Sequence, residues 1–162
     1  MRSLSFLFAA FFLAQPATMN QHKDSVVGTW KLVSYWNVSA TGEKSAPYGE
    51  HPTGFITYTA DGHMSAIISA DGRKPMSTGD RFAAATDDRA AAFSSFLAYA
   101  GTYTFTGDKV VHHVQAAWLQ SWVGTDVVRS VTMQGDKIIL RTESREVRGV
   151  SQVGELTWQR VP

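Results

Sequence analysis

Short apolar and β-branched segments alternate with tight-turn signals along most of this 162-residue sequence. Asp61-Gly62, Asp71-Gly72, Gly107-Asp108 and Gly135-Asp136 are dipeptides typical of β-turns. The segments around them predict about eight strands, at residues 26–36, 54–59, 63–69, 102–106, 109–118, 126–133, 137–142 and 152–161. Antiparallel hairpins at this spacing indicate an all-β fold, either an up-and-down barrel or a sandwich. A closed barrel is favoured because it leaves no exposed strand edges.

One segment departs from the strand pattern. Thr86 is a predicted N-cap, and Asp87 and Asp88 after it carry charges that suit a helix N-terminus. Apolar residues then recur at helical spacing as far as Ala100, and Gly101 ends the run. We therefore predict one short helix over residues 86–100, acting as a lid or a plug at one end of the barrel.

Charge and cysteine content exclude several functional classes. The sequence has 15 Lys and Arg, 14 Asp and Glu, and no cysteine. This balance disfavours nucleic-acid binding, which needs a basic surface. The lack of cysteine excludes disulfides, zinc–thiolate sites, iron–sulfur clusters and cysteine nucleophiles. No phosphate-binding loop, dinucleotide fingerprint or serine-hydrolase motif is present, so we predict no cofactor.

The N-terminus has the pattern of an export signal. Arg2 precedes an apolar run that ends at Ala14, and the small residues Ala14 and Ala17 lie near its end, although Gln15 occupies the −3 position of a cleavage after Ala17. Residues 1–17 are therefore predicted to be a signal peptide, which implies a secreted or periplasmic protein. Met19 is an alternative start, and would imply a cytoplasmic one. The apolar run is shorter than the ~20 residues of a membrane span, and no later segment could span a membrane.

Several motifs resemble one known family. They are the triplet Gly28-Thr29-Trp30, the segment 54–66, the segments 98–103 and 110–114, and Trp122-Val123-Gly124-Thr125 with Arg129. Together they resemble the small lipocalin-like domain proteins of bacteria and fungi, within the lipocalin and fatty-acid-binding type of barrel. The resemblance covers about residues 26–143, and the domain is expected to span 26–162. It departs at Gln120-Ser121, where that family often has a proline. It implies a barrel with an internal pocket.

Strand alternation selects His112 as a candidate site residue. On the strand 109–118, His112 shares a face with Val110, Val114 and Ala116, and this face is expected to point inward. An inward His112 could act as a general base or hold a ligand, or could be a structural histidine bonded to its neighbours. Its neighbour His113 points to the opposite face, so the two cannot share a metal ion, and no metal site is predicted. A slip of one residue would exchange the two histidines.

An arginine stands among apolar neighbours on the strand 126–133. A buried Arg129 is costly unless it is paired or faces an anion. It could anchor the acid group of an amphiphilic ligand. Alternatively, it could cover Trp30 at the closed end of the barrel, as an arginine does in lipocalins, a role that Arg160 could also fill.

Aromatic residues are frequent on the predicted inward faces. They could line a cavity for a flat or apolar ligand, or could fill the barrel. Met64 could add an adaptable wall. The predicted ligand-binding residues are Tyr58, Met64, Tyr99, Tyr103, His112, Trp122 and Arg129.

Three functional hypotheses follow. The first is a protein that binds a small hydrophobic or amphiphilic molecule inside the barrel. The second is a cofactor-free isomerase, cyclase or hydratase in which His112 is the acid or base. The third is a secreted interaction module with a filled barrel, whose loops 37–53 and 70–85 bind another protein.

Overall fold

The computed structural model describes residues 25–147 and 149–162. The predicted signal peptide, residues 1–17, and the alternative start at Met19 lie outside the described residues. Within them, no helix is both long and apolar enough to cross a membrane.

The described chain consists mostly of β-strands. An α-helix, α1 (Thr86–Ser94), separates the first four strands from the rest, and a 3-10 turn (Gln120–Trp122) follows β6. The strands are β1 (Gly28–Ser39), β2 (Lys44–Ser45), β3 (Thr53–Tyr58), β4 (His63–Ser69), β5 (Phe96–Phe105), β6 (Lys109–Ala117), β7 (Asp126–Gln134), β8 (Lys137–Thr142), β9 (Arg145–Val147) and β10 (Val150–Arg160).

Eight of the strands form a closed antiparallel barrel. β1, β3, β4, β5, β6, β7, β8 and β10 pair in that order, and β10 returns to pair with β1. β2 and β9 are short additions to β1 and β10. The predicted up-and-down barrel of about eight strands is therefore confirmed. Closure uses the backbone groups of both edges, which an open sheet would leave exposed.

The structure settles which arginine covers the closed end of the barrel. The Arg160 guanidinium carbon lies 4.0 Å from the ring centroid of Trp30, a side chain with no exposed surface. Arg160 also donates hydrogen bonds to the carbonyl oxygens of Val27, at 2.7 Å, and Ser25, at 2.6 Å. Arg160 therefore covers Trp30, and Arg129 does not have this role.

The structure confirms a short helix that begins at residue 86, but the predicted cap and the predicted C-terminal end were wrong. No side chain caps the N-terminus of α1, whose N-cap position is Ala85, and the helix ends at Ser94. Phe96 to Ala100, predicted as its last turns, belong to β5, where buried and less buried residues alternate. β5 pairs with β4 on one side and with β6 on the other. This pairing overrides a helical spacing that the apolar residues satisfy equally well.

A β-bulge in β6 changes which residues face the barrel interior. Gly101 pairs with Val114, whereas Ala100 pairs with Ala116, so Gln115 is the extra residue. A Cβ on Gly101 would lie 2.0 Å from the His113 carbonyl oxygen, so the bulge requires glycine here. Because of the bulge, Ala116 is exposed, although simple alternation from His112 predicts it inside.

Candidate functional site

The barrel contains a cavity of about 420 Å³. Apolar side chains from most strands form its wall, including Ile56, Ala66 and Leu140. Pro47 and Tyr48 from the loop before β3, together with Ser94 at the end of α1, contribute at one end. The wall includes two arginines, Arg129 and Arg145, whereas none of the described residues that line it is Asp or Glu. The cavity is therefore apolar with a positive charge.

A buried chain of three polar side chains lies against this cavity. His112, which has no exposed surface, is bonded through Nε2 to the Tyr58 hydroxyl and through Nδ1 to the Tyr99 hydroxyl, both at 2.8 Å. The three residues come from β3, β5 and β6, and their side chains meet inside the barrel. Both imidazole nitrogens therefore have partners, and Tyr99 and His112 line the cavity.

Burial keeps these three hydrogen-bonded side chains uncharged. It lowers the pKa of His112 to about 3, because desolvation disfavours the imidazolium form, and the Arg129 charge adds to the effect. Desolvation raises the pKa of both tyrosine hydroxyls, and that of Tyr58 well above its usual range. Arg129 opposes this rise at both tyrosines, since a nearby cation favours phenolate. Near neutral pH this hydrogen-bond chain therefore consists of a neutral imidazole between two neutral phenols.

Arg129 is a partly buried cation on the cavity wall. Its guanidinium donates a hydrogen bond at 2.9 Å to the Val128 carbonyl oxygen. Within residues 25–147 and 149–162, no carboxylate lies within ion-pair distance of Arg129 or of Arg145. Arg145 donates instead to the Tyr35 hydroxyl, at 3.2 Å. A partly buried arginine of this kind is stabilised when an anion or a strong acceptor approaches it.

Two further polar atoms on the cavity wall have no hydrogen-bond partner among the described residues. They are the Trp158 Nε1–H donor and the Asn37 Oδ1 acceptor, both buried. Trp158 lies near the closed end, two residues before Arg160, and Asn37 lies near the other end of β1. Asn37 on β1 pairs with Gly154 on β10. Gly154 and Trp158 are four residues apart, so ~13 Å of strand separates the levels of Asn37 and Trp158. Buried polar groups normally have partners, so both are candidate contacts for a ligand.

Aromatic rings continue from the cavity to the helix. Trp122 meets Tyr99 edge-to-face, with centroids 5.5 Å apart, and Trp118 meets Trp122 in the same way at 5.0 Å. The Phe93 ring on α1 lies 6.2 Å from Trp118. No residue of α1 is buried, so the helix does not plug the barrel. It lies beside the mouth, where Phe93 is half exposed.

The sequence of the barrel matches one family model. The model for the lipocalin-like domain covers residues 27–161, which is nearly all of the described chain. The chain belongs to the lipocalin-like domain family. The resemblance drawn from the motifs is therefore confirmed, and the match extends beyond residue 143 to the end of β10.

A curated relative of this lipocalin-like chain is a carrier. It is the 4'-hydroxy-3'-methoxypropiophenone carrier protein of Aspergillus oryzae, 31% identical over 109 residues, which are 61% of this chain and 97% of that protein. Two solved structures are also similar. A lipocalin-like protein from Bacteroides uniformis is 14% identical, with a TM-score of 0.43 and coverage of 84% of this chain and 98% of that one. An uncharacterised protein from Bacteroides eggerthii is 11% identical, with a TM-score of 0.42 and coverage of 84% and 99%.

The structure brings four of the seven predicted site residues to the cavity wall: Tyr99, His112, Trp122 and Arg129. The other three lie behind it, at the closed end of the lipocalin-like barrel. Tyr58 reaches the site through its bond to His112. Tyr103 packs edge-to-face on Tyr58 and donates to the Thr59 carbonyl oxygen at 2.9 Å, and Met64 is buried opposite Tyr58 on β4.

Sequence reasoning missed other wall residues for an identifiable reason. β1 has a register shift at Val33, whose side chain is 47% exposed. Trp30 and Leu32 point inward before the shift, and Tyr35 and Asn37 point inward after it. Strict alternation would have placed Ser34 and Trp36 inside instead. Trp158, in contrast, follows simple alternation along β10, and that signal was available in the sequence.

His113 belongs to a separate group on the outer surface. Its Nδ1 lies 2.7 Å from Asp126 Oδ1, and its Nε2 lies 2.9 Å from Thr104 Oγ1. This is the connectivity of a hydroxyl–imidazole–carboxylate triad. Thr104, however, is exposed on a flat strand surface, where the sheet ladder uses the backbone N–H groups that an oxyanion hole would need. We therefore assign the group a structural role that links β5, β6 and β7.

Proposed function

We propose that this protein binds and carries a small aromatic molecule in the barrel cavity. The observation that carries the proposal is the cavity itself, about 420 Å³ in volume, with aromatic side chains and a few unsatisfied polar atoms on its wall. Ligand sites typically have volumes of ~300–1,000 Å³ and combine an apolar wall with a few polar groups that fix orientation. The barrel supplies both.

The relative from Aspergillus oryzae supports an aromatic cargo. Its name describes a carrier of a one-ring aryl ketone that also bears hydroxyl and methoxy groups. A molecule of this kind suits a wall on which Tyr99, Trp118 and Trp122 present their rings and Arg129 presents a donor. We propose an aryl ketone or a phenol of similar size as the ligand class.

The arrangement of His112 favours carriage over acid–base catalysis. A general base works best when its pKa lies near the operating pH, and the pKa of His112 is lowered to about 3. Both of its nitrogens are also bonded to tyrosine hydroxyls, so neither is free to take a proton from a substrate. The interaction-module hypothesis, which requires a filled barrel, has less support because of the cavity.

Calorimetric titration with 4'-hydroxy-3'-methoxypropiophenone tests the proposal. We expect one site per chain with a dissociation constant of ~10 μM or lower, which is about −7 kcal/mol. Ala66→Leu adds three carbons inside the cavity, and Ala116→Leu adds the same atoms on the outer surface. The first variant should fold normally and lose binding, and the second should bind as wild type does. Equal binding by all three proteins would place the ligand outside the barrel, and no binding of aryl ketones or phenols by wild type would reject the ligand class.

A further inference from the structure

The hydrogen-bond chain through His112 has a direction, and the burial of Tyr58 sets it. The Tyr58 hydroxyl is bonded to His112 Nε2, and none of the other described residues is a hydrogen-bond partner for it. If this hydroxyl only accepted, its own proton would be buried without a partner, at a cost of about 1–3 kcal/mol. Tyr58 therefore donates to Nε2, and the neutral imidazole carries its proton on Nδ1.

The direction continues through Tyr99 into the cavity. Nδ1–H of His112 donates to the Tyr99 oxygen, 2.8 Å away. The Tyr99 proton therefore points away from His112, and Tyr99 lines the cavity. Because each hydrogen bond in such a chain polarises the next, the Tyr99 hydroxyl is a strengthened donor toward whatever occupies the cavity.

Other groups on the cavity wall are also donors. Arg129 lines the cavity, and no carboxylate lies within ion-pair distance of it among the described residues. Its charge also acts on Tyr99, because it opposes the rise in the Tyr99 pKa that burial causes. The Trp158 Nε1–H is buried near the closed end, and no residue in the described part of the chain accepts a hydrogen bond from it. Three donors, one of them cationic, thus face an apolar space whose described wall contains no Asp or Glu. This arrangement fits an acceptor with negative charge.

We propose that the cavity selects an aromatic ligand through an anionic oxygen, such as a phenolate, an enolate or a carboxylate, held by the Tyr99 hydroxyl and the Arg129 guanidinium. Tyr58 and His112 are positioning residues, because they act on the ligand only through the direction that they impose on Tyr99. This inference rests on the proposed function and defines its ligand class more narrowly.

Two fluorescent probes separate the anionic group from the aromatic body. 1-Anilinonaphthalene-8-sulfonate and N-phenyl-1-naphthylamine share the same rings, and only the first carries an anionic sulfonate. We expect Arg129→Gln and Tyr99→Phe each to weaken binding of the sulfonate about tenfold and binding of the neutral probe less than about twofold. His113→Gln, which changes the histidine on the outer surface, should alter neither. Equal losses for both probes, or none, would overturn the role of the two residues.

A nitrogen-15 NMR spectrum tests the direction of the chain independently of any ligand. Two-bond proton–nitrogen correlations distinguish the two neutral tautomers of a histidine, and His112→Gln identifies the signals of His112. We expect the Nδ1–H form in wild type at neutral pH. The Nε2–H form would overturn the inference, because Tyr99 would then donate to His112 and not to the ligand.

The failure of this inference and the failure of the proposed function give different results. If Ala66→Leu abolishes binding of both probes and they bind wild type equally well, the cavity binds ligands without selecting an anion, and only the inference fails. If both probes bind Ala66→Leu as they bind wild type, or if neither binds wild type, the proposed cavity function fails as well.

Discussion

Acidification should destabilise this protein through a single buried histidine. In the folded state burial lowers the pKa of His112 to about 3, whereas an unfolded chain has an ordinary histidine pKa near 6.5. Between these two pH values the unfolded state binds a proton that the folded state does not bind. The free energy of unfolding therefore falls as the pH is lowered through this range, and His112 has no such effect above it.

The size of the effect follows from the two pKa values. Each pH unit inside the range costs about 1.4 kcal/mol, so full titration would cost about 5 kcal/mol. From pH 7 to pH 5 the expected loss due to His112 is about 2 kcal/mol, because the unfolded state is only partly protonated over the first part of this interval. For a chain of this length the corresponding fall in melting temperature is about 4–8 °C.

Urea unfolding at pH 7 and pH 5 measures this loss. Wild type and His112→Gln share every other titrating group, so the difference between their pH dependences isolates His112. We expect wild type to lose about 2 kcal/mol more than the variant between the two pH values. Equal losses would show that His112 is not held neutral by the fold. If the variant does not fold, an NMR titration of wild type gives the same answer, and a midpoint near pH 6.5 would refute the reasoning.

Three further predictions concern the frame and the mouth of the barrel. Gly101→Ala should cost about 3 kcal/mol or more in urea unfolding, since its Cβ would meet a carbonyl oxygen at 2.0 Å, whereas Gly79→Ala, with open space around it, should change stability by less than about 1 kcal/mol. Arg160→Met should cost about 2–4 kcal/mol through lost bonds and lost contact with Trp30, and calorimetry should show unchanged ligand affinity; a weaker affinity would mean that the closed end shapes the cavity. Trp118→Ala should raise the dissociation rate of the bound naphthylamine probe about tenfold in stopped-flow fluorescence, and an unchanged rate would place the exit elsewhere.

The barrel could be predicted from the sequence because its signals are local. A turn such as Asp61-Gly62 can be recognised from two residues, because Gly62 adopts a φ of 94° that residues other than glycine avoid. The alternation of inward and outward residues then identifies the segments between turns as strands. The helix could not be delimited in the same way, because the apolar residues between Ala90 and Ala100 satisfy helical spacing and strand alternation alike. Only pairing with β4 and β6 decides between the two.

The site was predictable only in part, because bulges reverse the alternation of faces. One extra residue at Val33 moves Tyr35 and Asn37 to the inside, and another at Gln115 moves Ala116 to the outside. Neither bulge has a signal in its own strand, since each depends on how two strands are matched. His112 lies before the bulge in β6, so alternation placed it correctly. The choice between Arg129 and Arg160 likewise depended on strand register.

The pairing of β1 with β10 affects how the chain folds during synthesis. The hydrogen bond from Arg160 to Val27 joins residues 133 positions apart, and the strand that begins the barrel pairs with the strand that ends it. During synthesis β1 therefore has an unpaired edge until β10 has left the ribosome. Contacts of this range slow folding and leave strand edges open to other nascent chains. A circular permutation that joined the two strands by a hairpin would turn the slowest closure into a local one.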